Sequence, residues 1–469
     1  MLNGIIYYLA DIDDKVSVLF EEIIMKNHEH TRDGFKSRWG FTLACVGSAV
    51  GMGNIWRFPY MVSEWGGLTF LIPYFIFVIL IGATGVIEEI ALGRSTGAGP
   101  IGAFGKCTEI RTGRRFGQWI GAIPVLGALC LAIGYTVVVG WIFKYTFMAL
   151  TGGIADMGQD MDVIGGMFGQ TASAWGNNMW LIIAVAAVGL IMIFGIAGGI
   201  EKVNKVMMPA LFCLFVILGI YIMTLPGSNE GYKYIFTLEP AGLLEPELWV
   251  FAFGQAFFSL SIAGNGTVIY GSYLGKNENI IKSARNIAVF DTIASMLATL
   301  VIVPSMAVGG AALDTAGPGL MFIYLVNVFN GMPGGTVVGI IFYVCVMLAG
   351  ITSLINLYEV PVAALQEKLH LKRIPAVGVI AAAGCVVALF IQAIVSGWMD
   401  AVSIYVCPLG AMLAGIMFFY VAGKDYAENA VNEGADKPIG PWFVKLGKYV
   451  FVPLAFIALV AGAFFGGIG

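Results

Sequence analysis

Residues 45–59, CVGSAVGMGNIWRFP, decide how this chain folds. They lie in an apolar run that is long enough to cross a membrane as a helix, but three glycines, an asparagine and an arginine interrupt its middle. Each glycine inside a helix costs about 1 kcal/mol relative to alanine. In a bilayer, unwound backbone survives only where it is buried in protein or lines a cavity. We therefore predict a helix break over residues 47–54 whose freed backbone groups bind a ligand.

The composition predicts a multi-span membrane protein. Hydrophobic residues make up 59% of the chain and charged residues 12%, against about 25% charged in soluble domains. The net charge of −4 provides no cationic surface for a nucleic acid, so that partner is excluded. The seven cysteines form no CxxC pair and the three histidines are scattered, so neither a disulfide framework nor a zinc site is indicated.

Apolar runs of about 20 residues or more predict transmembrane helices. Residues 1–31 lack the basic region and the cleavage site of a signal peptide, and we expect them to form an N-terminal cytoplasmic extension to a single membrane domain over 32–469. About eleven spans are predicted, near residues 40–63, 67–92, 117–149, 178–198, 203–225, 247–274, 284–311, 334–365, 374–396, 400–421 and 441–467.

The basic residues predict the orientation, because loops rich in Lys and Arg stay in the cytoplasm. With the N-terminus inside, only Arg57, Lys144 and Lys233 of the 25 basic residues fall in or beside the outward half. We therefore expect a multi-pass protein of the cell inner (plasma) membrane. Its N-terminus is predicted to be cytoplasmic and its C-terminus outside.

A second interrupted span, at residues 255–267 (QAFFSLSIAGNGT), again places Ser, Gly and Asn in mid-membrane. Paired interrupted segments in two halves of a chain indicate an inverted-repeat transporter with its binding site near the midplane. The predicted repeats cover about 40–225 and 247–421, with a peripheral eleventh helix at about 441–467. The alternative, glycines that only allow close helix packing, leaves Asn54 and Asn265 unexplained.

The stretch GSAVGMGNIWRFP at 47–59 resembles the first-helix signature of the neurotransmitter:sodium symporter family, in its bacterial amino-acid transporter branch of the eleven-helix type. The resemblance runs from about Arg32 to residue 467. It implies an all-α polytopic membrane protein of the leucine-transporter-like fold, with helices 1 and 6 broken at mid-membrane. The further matching motifs are EWGG at 64–67, GIEK at 199–202 followed by Pro209, QAFFSLS at 255–261, AGITS at 349–353, and Asp400.

The resemblance implies a sodium-coupled secondary symporter that takes up a neutral amino acid by alternating access, as a monomer or weak dimer in the lipid bilayer. The alternatives within this fold are a transporter of a small neutral amino acid or another amine-containing solute, and a non-transporting substrate sensor. A channel would conduct without accumulating substrate. An enzyme is not expected, because the chain has no HExxH and no phosphate-binding GxxxxGK[ST] motif.

Two sodium sites follow from the resemblance, and their oxygen ligands suit a hard cation. For Thr352 and Ser353 the alternative is a hydrogen bond to the preceding turn of their own helix. The first site would use the Ala49 carbonyl, Asn54, Ser259, Asp291 and the carboxylate of the substrate. The second would use the carbonyls of Gly47, Val50 and Ala349 with the hydroxyls of Thr352 and Ser353.

Asp291 stands where the family commonly has Asn. Residues that resemble the chloride-binding set of animal members, Tyr74, Gln255, Ser259 and Ser295, are also present. A fixed carboxylate beside sodium supplies the countercharge that chloride would bring, and it repels an added anion. We predict that chloride is not required. The alternative is an Asp291 that only pairs with a neighbouring hydroxyl.

The amides of Met52 and Gly53, at the N-terminus of a half-helix, are predicted to bind a substrate carboxylate. Tyr135 resembles the family tyrosine whose hydroxyl joins them. Amine-transporting members carry Asp at the position of Gly51, so an amino acid is favoured here, with its ammonium group near Ser261.

Gly264 stands where a related transporter has Phe, which favours a large hydrophobic or aromatic substrate. The predicted substrate-binding residues are Ala49, Gly51, Met52, Gly53, Leu131, Tyr135, Phe258, Ser259, Ser261, Gly264, Ser353 and Leu357.

Charged residues at the two ends of the path are predicted to act as gates. Arg57 and Asp400 would meet on the outer side, and Arg32, Glu367 and Tyr273 resemble the inner gate. Arg32 and Glu367 are alternatively ordinary charges at helix ends.

Gly199 and Pro209 enclose nine residues that could unwind and admit water, because Pro removes a backbone bond and Gly lowers the cost of opening. The alternative is a tight loop followed by a helix kink.

Overall fold

The computed structural model describes residues 33–109, 111–310 and 319–465. Within these ranges every regular element is helical and no strand occurs. The described residues from Phe35 onward form one compact unit. The all-helical fold class predicted from the sequence is confirmed. The predicted extension over residues 1–31 lies outside the described residues.

Apart from two short helices over Pro100–Thr108 and Met161–Ala172, the helices of the first half coincide with the apolar runs given above, and most are separated by Gly-containing turns. They are α1 (Arg38–Ala49), α2 (Phe58–Glu64), α3 (Leu68–Ile81), α4 (Ile87–Thr96), α5 (Pro100–Thr108), α6 (Arg114–Thr151), α7 (Met161–Ala172), α8 (Asn178–Ile193) and α9 (Glu201–Met223). Wide π-helical turns at Gly53–Arg57, Gly82–Val86 and Ile196–Ile200 extend or join them.

The second half likewise consists of helices joined by turns and π-helical segments. Its helices are α10 (Ser228–Ile235), α11 (Pro246–Ser259), α12 (Gly266–Gly271), α13 (Ile280–Val308), α14 (Leu325–Gly331), α15 (Gly335–Leu369), α16 (Arg373–Ile391), α17 (Val395–Ala401), α18 (Cys407–Gly415), α19 (Lys424–Asn432), α20 (Trp442–Leu446) and α21 (Val452–Phe465).

Each of the eleven predicted spans coincides with a helix or with an interrupted pair of helices. The first and sixth predicted spans are the pairs α1/α2 and α11/α12, and α8 is a shorter apolar helix. Among the described residues, the continuous stretches that are long and apolar enough to cross a membrane are Leu68–Thr96, Arg114–Thr151, Ile196–Met223, Ile280–Val308, Gly335–Leu369, Arg373–Ala422 and Trp442–Phe464.

The longest helices, α6 and α15, pack along each other. Helix α1 packs against α9, α13 and α15, while α11 packs against α3 and α12 against α4. This packing surrounds the two interrupted pairs with intact helices. Their polar side chains are therefore shielded from lipid, where each unsatisfied polar group would cost several kcal/mol. The division into two repeats stays a prediction.

Candidate functional site

The first break is shorter than the predicted range 47–54. Helical bonding continues to Val50, whose N–H donates to the Val46 carbonyl at 2.7 Å, so Gly47 belongs to α1. Val50 itself adopts an extended conformation with φ −73° and ψ 98°. The side chain of Asn54 then stabilises the break, because its Oδ1 accepts from the Gly51 N–H at 2.9 Å.

The second break contains two residues in the left-handed region that are not glycine. Ser261 has φ 55° and Asn265 has φ 51°, and a short 3₁₀ turn, Ile262–Gly264, lies between them. Such a conformation costs about 1–2 kcal/mol for an ordinary residue. Hydrogen bonds to other helices stabilise it here.

Two contacts stabilise the second break. The Ser261 hydroxyl donates to the Ser48 carbonyl at 2.8 Å and so joins the two breaks. The carboxylate of Glu89, on α4, accepts from Asn265 Nδ2 at 2.8 Å and from the Thr267 hydroxyl. Sequence reasoning missed Glu89, although a buried acid in an apolar span was a signal for a functional residue.

Residues predicted for the first sodium site meet between α11, α13 and the turn that follows the first break. Asn54 Nδ2 donates to Ser259 Oγ at 3.0 Å, to Asp291 Oδ1 at 2.7 Å and to Ser295 Oγ at 2.8 Å. The Ser259 hydroxyl donates to Asp291 Oδ2 at 2.6 Å. All four side chains are buried. The Gly51 N–H can only donate, so the Asn54 oxygen faces the break and its NH₂ group faces the cluster.

Residues predicted for the second sodium site lie where α1 meets α15, and the two hydroxyls behave differently. Ser353 Oγ reaches across to α1 and donates to the carbonyls of Gly47 and Val50, both at 3.2 Å. Thr352 Oγ1 instead bonds within its own helix, to the carbonyls of Leu348 and Ala349 at 3.1 Å. The alternative of bonding to the preceding turn thus describes Thr352 but not Ser353.

A cavity of about 40 Å³ lies between the two breaks. Ten of the twelve predicted substrate-binding residues line this cavity, and the exceptions are Met52 and Ser259. Three further lining residues, Ser48, Gly266 and Asn356, were not predicted. No Asp, Glu, Lys or Arg from the described part of the chain contributes to this lining. The cavity is lined by Ser48, Ala49, Gly51, Gly53, Leu131, Tyr135, Phe258, Ser261, Gly264, Gly266, Ser353, Asn356 and Leu357.

Tyr135 connects the cavity to the first break. Its hydroxyl accepts a hydrogen bond from the Met52 N–H at 2.8 Å. A methyl group added at Gly51 would lie 2.4 Å from the same hydroxyl, so only glycine allows this close approach. The tyrosine hydroxyl and an amide of the interrupted helix therefore lie together, as predicted for a carboxylate-binding group.

A larger cavity of about 290 Å³ adjoins the first on the side of Arg57. Tyr135 and Phe258 line both cavities and separate them. Arg57 and Asp400 both line the larger one, but no ion pair within 4.0 Å joins these two described residues. Arg57 instead donates to Gln255 Oε1 at 3.2 Å. The outer gate pair therefore faces a shared cavity without contact.

On the opposite side lies an ion pair between the partly buried Arg373 and the buried Glu359, which sequence reasoning missed. Arg373 donates to both oxygens of Glu359, at 2.6 and 2.7 Å, and the Tyr273 hydroxyl donates to the same carboxylate at 2.7 Å. Glu367 accepts from the Gly99 N–H at 2.8 Å. Arg32 lies outside the described residues, so the predicted inner gate stays a prediction. A single acid in the apolar part of α15 was the available signal for Glu359.

The segment between Gly199 and Pro209 is helical. It begins in the π-helical turn Ile196–Ile200 and continues into α9, with Pro209 inside that helix. Glu201 anchors it to the start of α1, because its carboxylate accepts from the Lys36 N–H at 2.7 Å and from the Ser37 hydroxyl at 2.8 Å. The alternative of a tight loop is therefore not observed, and opening of this segment stays a prediction.

Comparisons with known proteins agree on one family. The model described as the sodium:neurotransmitter symporter family matches residues 32–157 and 164–461. An uncharacterised sodium-dependent transporter of Methanocaldococcus jannaschii is 29% identical over 461 residues, which cover 92% of this chain and 90% of the relative. The uncharacterised sodium-dependent transporter YhdH of Bacillus subtilis is 35% identical over 341 residues, or 72% and 73% of the two chains.

A solved structure shares the fold. The crystal structure of MhsT in complex with L-phenylalanine superimposes with a TM-score of 0.81 at 29% sequence identity. The superposition covers 92% of this chain and all of that one.

Proposed function

The chain belongs to the sodium:neurotransmitter symporter family, and from this premise we propose that it takes up a large hydrophobic or aromatic amino acid together with sodium by alternating access. Membership in a family of sodium-dependent transporters makes it a membrane transporter and not an enzyme. The substrate, the number of sodium sites and the independence from chloride are parts of this proposal.

The observation that carries the choice of substrate is the charge of the cavity lining. Among the residues that the structure describes, no acidic or basic side chain lines the cavity between the two breaks. A cationic amine without a carboxylate would therefore lose its hydration without gaining a countercharge, which is costly in an apolar interior. A zwitterionic amino acid carries its own countercharge. Its carboxylate would bind at Met52 N–H and the Tyr135 hydroxyl, where an N-terminal helix end attracts anions.

The surroundings of Gly264 favour a substrate with a large side chain. A methyl group added there would meet Leu357 Cδ2 at 3.7 Å and Ala128 Cβ at 4.0 Å, which are ordinary contact distances, so this wall of the cavity has room for at least one more carbon atom. A second candidate, a small neutral amino acid, is favoured by the cavity's present volume of about 40 Å³.

Sodium would occupy two places. In the first, Asn54, Ser259 and Asp291, with the Ala49 carbonyl, would bind the ion beside the substrate carboxylate. The buried Asp291 carboxylate makes chloride unnecessary, because it already supplies a negative charge. In the second, Ser353 and Thr352 of α15 and the carbonyls of Gly47 and Val50 would connect α15 to α1. Oxygen donors of these types suit a hard cation.

Uptake into proteoliposomes under an imposed sodium gradient tests the proposal. Labelled tryptophan, phenylalanine, leucine and alanine should be compared, with tryptamine as the matched amine that lacks a carboxylate. We expect accumulation of the aromatic amino acids that disappears when choline replaces sodium, and no competition by tryptamine. Preferential alanine uptake would support the second candidate. Competition by tryptamine, or binding without accumulation, would contradict the proposed function.

A further inference from the structure

A buried amide with an unused oxygen lies where α9 meets α1. Asn204 is fully buried, and its Nδ2 donates to the Ile200 carbonyl of its own helix at 2.9 Å. Its Oδ1 has no hydrogen-bond donor within the described ranges. A buried carbonyl oxygen without a partner is unfavourable, so we expect a ligand at this oxygen.

The direction of the amide follows from its one hydrogen bond. The oxygen and nitrogen of an asparagine are usually distinguished only by their neighbours. The Ile200 carbonyl can only accept, so the NH₂ group must face it. The free oxygen therefore faces α1.

Gly47 shows where this oxygen lies. A methyl group added at Gly47 would come within 2.1 Å of Asn204 Oδ1 and 3.0 Å of Thr352 Cβ. The carbonyl of Gly47 also accepts from Ser353 Oγ. Asn204 Oδ1 thus borders the junction of α1 and α15 that holds the residues of the second sodium site, and it does so from a third helix.

We propose that Asn204 Oδ1 is a further ligand of the cation in that site, directly or through one water molecule. The inference rests on the proposed function, which places sodium there. An amide oxygen is a suitable ligand for a hard cation, and a cation would satisfy the only free polar atom of the Asn204 side chain. Asn204 lies between Gly199 and Pro209. Opening of that segment would therefore move this ligand on α9 away from the cation and weaken sodium binding.

Two substitutions test the proposal, and they should change the half-saturating sodium concentration in opposite directions. Asn204→Leu keeps the approximate shape without the oxygen, and it should raise the half-saturating sodium concentration for labelled amino-acid binding by about three- to tenfold. Asn204→Asp supplies a charged oxygen and should lower that concentration. The matched control is Lys202→Ala, which changes an exposed residue of the same helix and should leave sodium dependence unchanged.

A structural role alone predicts a different pattern. The carboxylate of Asn204→Asp can only accept, so it would repel the Ile200 carbonyl and both variants would require more sodium. Melting temperatures in sodium and in choline give a second readout; the stabilisation by sodium should shrink in Asn204→Leu and grow in Asn204→Asp. Unchanged sodium dependence in both variants, or a loss in both, overturns the inference. Sodium-independent binding by the unsubstituted protein would overturn the proposed function instead.

Discussion

Replacing Gly264 with phenylalanine tests how the cavity selects its substrate. The φ of Gly264 lies outside the left-handed region, so a side chain is compatible with its backbone. The first atom of that side chain meets only ordinary contacts, with Leu357 at 3.7 Å and Ala128 at 4.0 Å. The rest of the ring must extend into a cavity of about 40 Å³, where a substrate side chain is expected.

The magnitude follows from the cost of overpacking. Forcing extra volume into a packed site costs about 1–3 kcal/mol, which corresponds to roughly five- to 150-fold in affinity. We expect Gly264→Phe to weaken tryptophan and tyrosine binding by this factor. Alanine binding should change little, because the carboxylate contacts at Met52 and Tyr135 are untouched. Gly264→Ala is the matched control and should retain tryptophan binding, since a methyl group fits at ordinary contact distances.

Competition binding with tryptophan, tyrosine, leucine and alanine measures these effects on one preparation. Equal loss of all four ligands in Gly264→Phe would mean that the substitution disturbs the break itself. Tryptophan affinity that remains unchanged would mean that the side chain of the substrate lies elsewhere. Either result would refute the assignment of this wall of the cavity.

Further predictions concern the ion and carboxylate contacts. Uptake by the wild-type protein should be the same in chloride and in gluconate. The Asp291→Asn variant should need at least tenfold more sodium in gluconate and should regain its sodium affinity in chloride. The reason is that a unit charge about 4 Å from sodium contributes up to about 4 kcal/mol at an effective dielectric of 20. Asn54→Ala removes hydrogen bonds to Ser259, Asp291 and Gly51 and should abolish sodium-dependent binding; binding that persists at wild-type sodium concentrations would contradict the first site. Tyr135→Phe should weaken amino-acid binding by roughly ten- to 100-fold, as expected for the loss of one hydrogen bond to a charged group. If isothermal titration calorimetry finds wild-type affinity, the Tyr135 hydroxyl does not bind the carboxylate.

Much of the binding site could be predicted because its polar and glycine residues interrupt the apolar helical runs that make up most of the chain. Long apolar runs in a bilayer can only form helices, since every backbone group must be satisfied internally. Glycine and asparagine at mid-membrane therefore had to mark the two breaks. The residues around those breaks line one cavity, and Asn54, Ser259 and Asp291, which the family resemblance grouped together, lie in contact.

What could not be predicted depends on how the helices face one another. Helices that are apolar on all sides carry no stripe that distinguishes the inner face, so the sequence does not tell which hydroxyl crosses to a neighbour. Only the packing shows that Ser353 reaches α1 while Thr352 bonds to its own turn. It also decides that Arg57 and Asp400 face one cavity without touching.

The residue pattern alone predicts the helical membrane fold and its two interruptions, because both follow from the cost of burying polar backbone and side chains in lipid. The oxygen ligands of the site came from the family resemblance. The tertiary structure decided the cross-helix partners: Glu89 for the second break, Arg373 for Glu359, and the free oxygen of Asn204 facing Gly47. These pairings join residues far apart in the chain. They depend on the rotation and depth of each helix, which are set by the summed packing of all the helices and not by any local pattern.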